Sequence, residues 1–574
     1  MTVVEIDTAS RVAVVEPGAL NAEVKRAAAA EGLWYPPDPS SFEICSIGGN
    51  VATNAGGLCC VKYGVTTDYV LGLDVVLADG RLVTLGGKRI KDVAGLSLLK
   101  LFVGSEGTLG IVTRATLRLV PAQLAPSTLV ATFDSVRGAA DAVVEGYRHD
   151  WSRAEGAGTP VAVVRAEDAA QVQEAVRWAA RHRVPVVPRG AGSGLSGGSS
   201  AVDGGIVLSL ERMRAIEVDT SCQVAVVEPG ALNAEVKAAC AAHGLWYPPD
   251  PSSYEICSIG GNVATNAGGL CCVKYGVTTD YVLGLDVVLA DGTLVTLGGK
   301  RIKDVAGLSL LKLFVGSEGT LGIVTRAILR LVPAPLPAAT LVASFADVRR
   351  AAEAVVAVRS RLRPSMMELM DNASVNAVED YSPMGLDRSV GALLLVQSDA
   401  PGAARGEEIE VVRLACEAAG AREVFVTEDP AEGEMFVEAR RRAFPAIEAR
   451  GSLLLEDVGV PIPLLPDLLE EVARVAEQHE VEIPVVAHAG DGNTHPIIVV
   501  PAGDEAARLR AQKAFEVVMA AAIALGGTIT GEHGVGRTKK AALPDQLGPD
   551  VMALSRRVKD ALDPDGILNP GAVL

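Results

Sequence analysis

The apolar positions in the middle of the chain predict alternating strands and helices. In "TPVAVVRAEDAAQVQEAVRWAARHRVPVVPRG", the runs Val161–Val164 and Val184–Val187 predict strands, and the spacing of apolar residues over Gln171–Arg181 predicts a helix between them. A Gly-rich turn follows, where glycines let backbone N–H groups approach an anion and Arg189 adds a positive charge. A plain Gly/Ser-rich linker explains this turn nearly as well when it is considered alone.

Beyond Ala338 the pattern also alternates, with the apolar runs "ATLVASF", "MMELMD", "GALLLVQ" and "EVFVTE" as strands. Helical spacing lies between them at Val348–Arg361 and Glu407–Ala419, and a final helix is predicted at Pro549–Leu562. Such βαβ units predict an antiparallel, ferredoxin-like α+β domain.

One block of the chain occurs twice. Val4–Val120 aligns with Ile216–Val332, and the segments Ser46–Gly80 and Ser258–Gly292 are identical. Solenoid repeats are shorter and come in longer series, so this is a duplicated block. The strand, helix, strand and Gly-rich turn described above occur once, directly before the second copy.

Composition narrows the function classes. A chain of 574 residues suits two to four domains, and its net charge of −18 argues against a nucleic-acid partner. The sequence has no apolar run long enough for an integral membrane segment and begins without signal-peptide features, so a cytoplasmic location is expected. The nine cysteines form no CxxC motif, and reduced thiols are expected at the adjacent pairs Cys59-Cys60 and Cys271-Cys272.

Histidines give the sharpest chemical signal. In "VVAHAGDGNTHPIIVV" the pair Asp491-Gly492 predicts a two-residue hairpin turn, which sets His488 opposite His495 on one face of the hairpin. That geometry can chelate a divalent ion, although one of the two can instead be an ordinary core histidine. Downstream, "GGTITGEHGVGRTKK" predicts a strand running into a Gly-bounded turn that exposes Glu532 and His533 side by side.

Several motifs in fixed order resemble one enzyme family. They are "RGAGSG", "PPDPSS", "IGGNVATNAGG", "KYGVTTDYVLGL", "LFVGSEGTLGIVT", "HAGDGNTH", "GEHGVG" and "DPDGILNPG". Together they resemble the FAD-linked 2-hydroxyacid dehydrogenases and oxidases of the vanillyl-alcohol-oxidase/p-cresol-methylhydroxylase (PCMH) type, flavoproteins that oxidise glycolate, D-lactate or D-2-hydroxyglutarate. The resemblance runs from about Glu145 to Leu574.

The resemblance implies an α+β fold with a two-subdomain PCMH-type FAD-binding domain at 145–335 and a C-terminal cap domain at 336–574. Residues 1–144 are then an extra duplicate of the second FAD subdomain without the pyrophosphate loop, either a genuine duplication or a misassembled sequence. The complete copy is expected to bind FAD noncovalently, since no histidine lies between His182 and His243. The FAD-binding residues implied are Arg189, Gly190, Ala191, Gly192, Ser193, Gly194, Pro248, Asp250, Ser252, Gly260, Gly261, Asn262, Thr265, Gly268, Gly316, Ser317, Glu318, Gly319, Thr320, Gly322, Ile323 and Asn569, with Lys540 as a further candidate.

The same resemblance assigns Glu532 as the third metal ligand beside His488 and His495, with zinc or manganese as the expected ion. His533 is then left to accept the hydroxyl proton of the substrate. In "EARRRAFPAIEARG", the resemblance favours Arg440 as the clamp for the substrate carboxylate and Arg441 next, although an Arg-rich helical face is often only solvated.

The expected reaction is oxidation of a small anionic 2-hydroxy acid, such as D-lactate or glycolate, to the 2-oxo acid with hydride transfer to FAD. D-2-Hydroxyglutarate is the second candidate substrate, but Phe444 and Leu455 stand where relatives specific for it carry Thr and Lys. Two hypotheses from different function classes stay open, a metal-dependent hydrolase and an inactive chimaeric chain. The electron acceptor stays open among a quinone, a cytochrome, an electron-transfer flavoprotein and partner subunits, and a homodimer is an allowed assembly.

Overall fold

The computed structural model describes residues 2–8, 10–57, 65–87, 99, 102–121, 144–153, 156–304, 308–501 and 503–574. The chain divides into two compact units, Met1–Thr132 and Phe133–Leu574. Cys59 and Cys60 lie outside the described residues. The cysteines that the structure describes, including Cys271 and Cys272, are free thiols.

The first unit is built on a five-stranded antiparallel sheet. In spatial order its strands are Val4–Asp7, Val12–Val15, Ile111–Arg118, Val70–Val76 and Leu82–Gly86. Around it lie helices Asn21–Ala30 and Ile47–Thr53, the 3₁₀ turn Thr66–Asp68, and the paired short strands Leu33–Trp34 and Val120–Pro121.

The second unit begins with the predicted strand, helix and strand, observed at Ala162–Arg165, Ala169–His182 and Val186–Arg189. The strand Ile206–Ser209 lies between the two strands in a three-stranded parallel sheet. The C-terminal tail extends this sheet, because the N–H of Val186 donates to the Ile567 carbonyl and the N–H of Asn569 donates to the Val186 carbonyl, both at 2.8 Å. The end of the chain therefore packs beside the Gly-rich turn.

The second copy of the duplicated block follows and forms a sheet of the same order as the first. Its strands are Ile216–Asp219, Val224–Val227, Ile323–Arg330, Val282–Val288 and Leu294–Gly298. Its helices are Asn233–Ala241, Ile259–Thr265, Cys272–Tyr275, Thr278–Tyr281 and Leu310–Phe314, and the short strands Leu245–Trp246 and Val332–Pro333 pair.

The two copies differ in what covers one apolar face. In the second copy Ile323 is 1% exposed and packs with Ile206 of the parallel sheet. Its counterpart in the first copy, Ile111, is 69% exposed. The apolar surface that the second copy buries against the parallel sheet is therefore open to solvent at Ile111.

The C-terminal part of the second unit contains an eight-stranded sheet. Its first four strands along the chain, Ala339–Phe345, Met366–Asp371, Ala392–Ser398 and Glu423–Thr427, lie in the spatial order fourth, first, third, second with antiparallel pairing. This is the predicted ferredoxin-like core. The sheet continues beyond it with Val485–His488, Asn493–Val500 and Ser452–Leu455, and Val458–Gly459 pairs with Asn493–Val500.

Helices cover this sheet at Val348–Arg359, Asn372–Tyr381, Ala403–Ala418, Pro430–Glu448, Leu465–His479 and Glu505–Ala524, with 3₁₀ turns at Ile462–Leu464 and Lys540–Ala542. The last helical segment, Leu543–Leu562, packs partly on this core and partly on the core of the second copy. It is interrupted at Gly548, whose φ of 73° is not helical, so its second half begins at the predicted Pro549. In the part of the chain that the structure describes, no helix has both the length and the apolar character to cross a membrane.

Candidate active site

His488 and His495 lie on adjacent strands of the C-terminal sheet, where the register pairs His488 with Asn493 and Val486 with His495. The predicted register, with His488 opposite His495, is therefore wrong. The turn spans residues 489–492, and within it the N–H of Gly490 donates to the Met367 carbonyl of the neighbouring strand at 3.1 Å. The error is two residues, which preserves the face, since side chains alternate with a period of two. Both rings leave the same face, with centroids 5.0 Å apart.

Glu532 converges on these two histidines. Its Oε1 lies 3.0 Å from His488 Nε2 and 3.3 Å from His495 Nε2. The ligand atoms of the three residues all lie within 4.8 Å of one another. Two imidazole nitrogens and a carboxylate are a donor set for zinc or a similar divalent ion, so these residues fit a metal.

Glu368, which the sequence analysis did not identify, lies behind His488. Its carboxylate oxygens lie 2.9 and 3.0 Å from His488 Nδ1, and the side chain is buried. A carboxylate in this position accepts the Nδ1 proton, and Nε2 is the ring nitrogen that faces Glu532. Burial lowers the pKa of His488, but Glu368 and Glu532 outweigh burial and raise it well above 6.5. Their combined negative charge favours a cation between them.

Of the three arginines on helix Pro430–Glu448, only Arg440 reaches this network. Its Nε lies 2.9 Å from Glu368 Oε2, and its side chain is 4% exposed. Arg441 instead pairs with Asp250 at 3.3 Å, and Arg442 pairs with Glu438 at 2.8 Å. Arg440 is therefore connected to His488 through the buried Glu368 carboxylate.

The turn that carries Glu532 and His533 is held by Asp457, a second carboxylate that the sequence analysis did not identify. Asp457 Oδ2 accepts the backbone N–H groups of Gly531, Glu532 and His533 at 2.8–3.0 Å. The His533 ring stacks on His495 with centroids 4.9 Å apart. Burial lowers the pKa of His533 to about 4 although Asp457 opposes the shift, so the imidazole is neutral at neutral pH.

A cavity of about 470 Å³ opens beside His488 and Glu532. Its size suits a small ligand. Gly268, Cys272 and Val277 of the second copy form one wall. The remaining walls come from the C-terminal sheet and the turn, and their lining residues are Gly459, Val460, Pro461, Asp491, Asn493, Gly526, Gly527, Thr528 and Gly531.

Most of the predicted FAD-binding residues line one cleft, which is separate from this cavity. The cleft is lined by Arg189, Gly190, Ala191, Gly192, Ser193, Gly194, Gly260, Gly261, Thr265, Ser317, Glu318, Gly319, Gly322 and Ile323. Position 190 requires glycine, because a Cβ on Gly190 would lie only 2.2 Å from Ser258 Oγ. A Gly-lined cleft with backbone N–H groups at its wall fits the pyrophosphate of a dinucleotide.

The remaining predicted FAD-binding residues lie elsewhere. Gly268 lines the cavity beside Glu532, whereas Asp250 forms ion pairs with Lys237 and Arg441. Asn262 is buried and accepts a hydrogen bond from Asn233 at 3.2 Å. Pro248, Ser252, Gly316 and Thr320 are absent from the cleft lining, as are Asn569 and Lys540. Lys540 Nζ donates to the carbonyls of Gly571 and Leu574 in the C-terminal tail.

Two side chains join the cleft to the segment that carries Glu532 and His533. Ser196 Oγ donates to the His533 carbonyl at 3.0 Å. Glu318 accepts the N–H of Val535 at 2.7 Å and of Gly536 at 2.9 Å. Asn569 Nδ2 in turn donates to the Glu318 carbonyl at 2.7 Å. Hydrogen bonds therefore connect the glycine-rich cleft to the segment that carries the candidate metal ligand Glu532.

Comparisons with known proteins show the family to which the chain belongs. A model of the FAD linked oxidases, C-terminal domain, matches residues 334–573, and an FAD binding domain model matches residues 1–86 and 160–298. The chain is 40% identical to glycolate oxidase subunit GlcD of Bacillus subtilis over 72% of this chain and 88% of that protein. It is 34% identical to D-lactate dehydrogenase of Archaeoglobus fulgidus over 72% of this chain and 91% of that protein.

Solved structures show the same fold at low sequence identity. A p-cresol methylhydroxylase structure superimposes with a TM-score of 0.64 at 18% identity, covering 75% of this chain and 92% of that one. A 4-ethylphenol oxidase from Gulosibacter chungangensis gives a TM-score of 0.63 at 20% identity, with 75% and 93% covered.

Proposed function

This chain belongs to the FAD-linked oxidases, and from that premise we propose that it oxidises a small 2-hydroxy acid to the corresponding 2-oxo acid. It is an FAD-dependent oxidoreductase, which sets aside the hydrolase hypothesis. One observation supports a 2-hydroxy acid as the substrate class. His488 and His495 of the C-terminal sheet converge on Glu532, which precedes His533 on a turn that is hydrogen-bonded to the FAD cleft.

FAD binds in the second copy of the duplicated block and the parallel sheet before it. The support is the cleft formed by residues 189–194 with Gly260, Gly261 and the segment 317–323. FAD supplies a hydride acceptor when bound, and a divalent ion at His488, His495 and Glu532 supplies positive charge for the carboxylate and hydroxyl oxygens of the acid.

Arg440 orients the substrate carboxylate. Its Nε is paired with Glu368, so its terminal Nη groups are the donors that would meet the acid. Because Glu368 binds both Arg440 and His488, the carboxylate clamp and one metal ligand share a rigid support.

His533 removes the hydroxyl proton. Its ring is neutral at neutral pH and lies against His495, next to Glu532. A neutral imidazole in this position accepts the proton at its Nε2 as the α-hydrogen leaves as hydride.

A small substrate without a second carboxylate is favoured over 2-hydroxyglutarate. Phe444 and Leu455, which stand where relatives specific for hydroxyglutarate carry Thr and Lys, pack against an apolar cluster that includes Met370 and Ile447. Phe444 also makes an edge contact with Trp151. Neither position offers a cation or a hydroxyl group to a second carboxylate.

The experiment mixes the FAD-loaded protein anaerobically with D-lactate, L-lactate, glycolate or D-2-hydroxyglutarate. Bleaching of the flavin absorption band is the measured signal. Fast bleaching by D-lactate or glycolate is expected. Bleaching by D-2-hydroxyglutarate alone would replace the proposed substrate, and no bleaching by any of the four would contradict the proposed function.

A further inference from the structure

The carboxylate of Glu318 points from the FAD cleft to the segment that follows His533. Its Oε1 accepts the N–H of Val535 at 2.7 Å, and its Oε2 accepts the N–H of Gly536 at 2.9 Å. Two successive backbone N–H groups form a concave site that favours an anion. Gly534 and Gly536, with φ of 83° and 52°, allow the backbone to form this site. A carboxylate of the protein itself therefore fills it.

Close packing leaves the Glu318 side chain little freedom. It is 7% exposed, and a Cβ added at Gly198 or at Gly534 would lie 2.8 Å from its carboxylate. Its backbone has a φ of 51°, in the left-handed region that a glutamate adopts only at a cost. The N–H of Glu318 donates to the Ala264 carbonyl at 2.9 Å, and Asn569 Nδ2 donates to the Glu318 carbonyl at 2.7 Å. Both the main chain and the carboxylate are therefore fixed.

The duplicated block contains the same glutamate at position 106, which separates the loop from its contact. The flanking residues, 104–110 and 316–322, both read "GSEGTLG". Glu106 has a φ of 50°, and its N–H donates to the Ala52 carbonyl at 2.9 Å, as the N–H of Glu318 does to Ala264. The Glu106 side chain is nevertheless exposed. The loop conformation therefore comes from the local sequence, and burial of the Glu318 carboxylate comes from the segment that lies on it.

The main chain of His533 is held on both sides. Asp457 Oδ2 accepts its N–H at 2.8 Å, and Ser196 Oγ donates to its carbonyl at 3.0 Å. Glu318 then anchors the residues two and three positions further along. A base must lie within hydrogen-bond distance of its target, and a displacement of about 1 Å can lower a rate by about 10²-fold. The position of His533 relative to the FAD cleft therefore depends on Glu318.

We propose that Glu318 is a positioning residue that fixes His533 relative to FAD. The loop of residues 317–319 lines the cleft, while the Glu318 carboxylate holds the turn. Glu318 acts through that turn and does not touch the hydroxy acid. This inference rests on the proposed function, because it assigns the proton transfer to His533.

The test compares Glu318→Gln with the wild type and with the matched control Glu106→Gln, all loaded with FAD and metal. Glutamine keeps the length and one acceptor oxygen, but its NH₂ group would face a backbone N–H, so the turn must move. We expect flavin reduction at saturating hydroxy acid to slow by about 10²-fold in Glu318→Gln, with the half-saturating concentration changed by less than about threefold and the FAD content unchanged. Glu106→Gln should behave as the wild type, because that carboxylate is exposed.

Hydrogen exchange provides a readout that does not depend on turnover. The amides of residues 533–537 should exchange at least about tenfold faster in Glu318→Gln than in the wild type, because a charge-assisted hydrogen bond to two of them is lost. Glu106→Gln should leave this exchange unchanged. Equal exchange in Glu318→Gln and the wild type would overturn the proposal, whether or not the protein oxidises a hydroxy acid.

A double-mutant cycle separates the positioning of His533 from a general structural role. In a His533→Ala protein, Glu318→Gln should slow flavin reduction by less than about threefold, because the residue that it positions is already missing. A full loss of about 10²-fold in that background would overturn the proposal. So would flavin reduction by Glu318→Gln at the wild-type rate, or loss of FAD from that variant.

Gly198→Ala tests the same contact if Glu318→Gln does not fold. Its methyl group would press on Glu318 Oε2 while every hydrogen-bonding group stays in place. We expect it to retain FAD and to slow flavin reduction by at least about tenfold, and an unchanged rate would overturn the proposal. If the wild type itself fails to reduce its flavin with any hydroxy acid, the proposed function fails instead.

Discussion

At the scale of single residues, His533 is the group on which the proton transfer depends. It is held by a backbone N–H bond to Asp457 and a stack on His495, and burial keeps its ring neutral. The turn therefore presents a neutral imidazole at neutral pH.

We expect His533→Ala to keep FAD and lower the rate of flavin reduction by about 10²–10⁴-fold, as for general bases in enzymes of many classes. Rapid-mixing absorbance under anaerobic conditions measures this. His243→Ala, which removes an exposed histidine outside the site, is the control. A His533→Ala protein that reduces its flavin at the wild-type rate would remove this residue from the mechanism.

Glu368 should control metal affinity through His488. Glu368→Gln loses the charge that orients the His488 ring, and we expect metal affinity to fall by about 10–100-fold. Metal titration of the chelated protein gives this number. The buried Glu379, which accepts the N–H groups of Met384 and Leu386, offers the control Glu379→Gln. Equal affinities in Glu368→Gln and wild type would contradict the assignment.

The histidines could be predicted from the sequence, but the carboxylates behind them could not. His488 and His495 lie seven positions apart in an interpretable hairpin pattern. Glu368 is separated from His488 by 120 positions and lies on a different strand. An acidic residue inside the apolar run "MMELMD" was the available signal, and only the sheet order shows which histidine it meets.

At the scale of elements, the hairpin that carries His488 and His495 shows which features the alternation of side chains along a strand predicts. The face on which the histidines lie was predicted correctly, because it depends only on the period of two. The register was not, because the loop between the two strands spans residues 489–492 and is longer than the two-residue turn that Asp491-Gly492 predicts. The final helix, by contrast, begins at the predicted Pro549, directly after the break at Gly548.

The segment around Gly268 tests the contact between the second copy and the C-terminal turn. A Cβ at Gly268 would lie 2.8 Å from both Glu532 Oε2 and Cys272 Sγ. We expect Gly268→Ala to weaken metal binding and slow turnover by at least about tenfold, while bound FAD stays unchanged. Metal and flavin content with steady-state rates measure this.

The control for that substitution is Gly406→Ala, at a helical position where a Cβ meets nothing within 4 Å. Normal metal content and normal turnover in Gly268→Ala would show that Glu532 can move without loss of metal binding or activity. That result would contradict tight packing of Glu532 against Gly268.

At the scale of the whole molecule, the duplicated block poses the question of which copy binds FAD. Both copies form the same five-stranded sheet, but only the second follows the single parallel-sheet segment. The exposure of Ile111 shows its consequence on the surface of the first copy.

A chain that begins at Glu145 should therefore bind FAD and keep full turnover per flavin. We also expect it to aggregate less than the full chain, because it lacks the apolar surface at Ile111. Flavin absorbance per protein and light scattering measure both. Loss of flavin from the shortened chain would show that the first copy contributes to the cofactor site.

The most direct test of the central claim, that a metal at His488, His495 and Glu532 works with FAD on a hydroxy acid, is the rate of anaerobic flavin reduction before and after chelation. The account predicts that the chelated protein retains FAD, that reduction by the preferred acid is lost, and that zinc or manganese restores it. An unchanged rate in metal-free, FAD-loaded protein would contradict it.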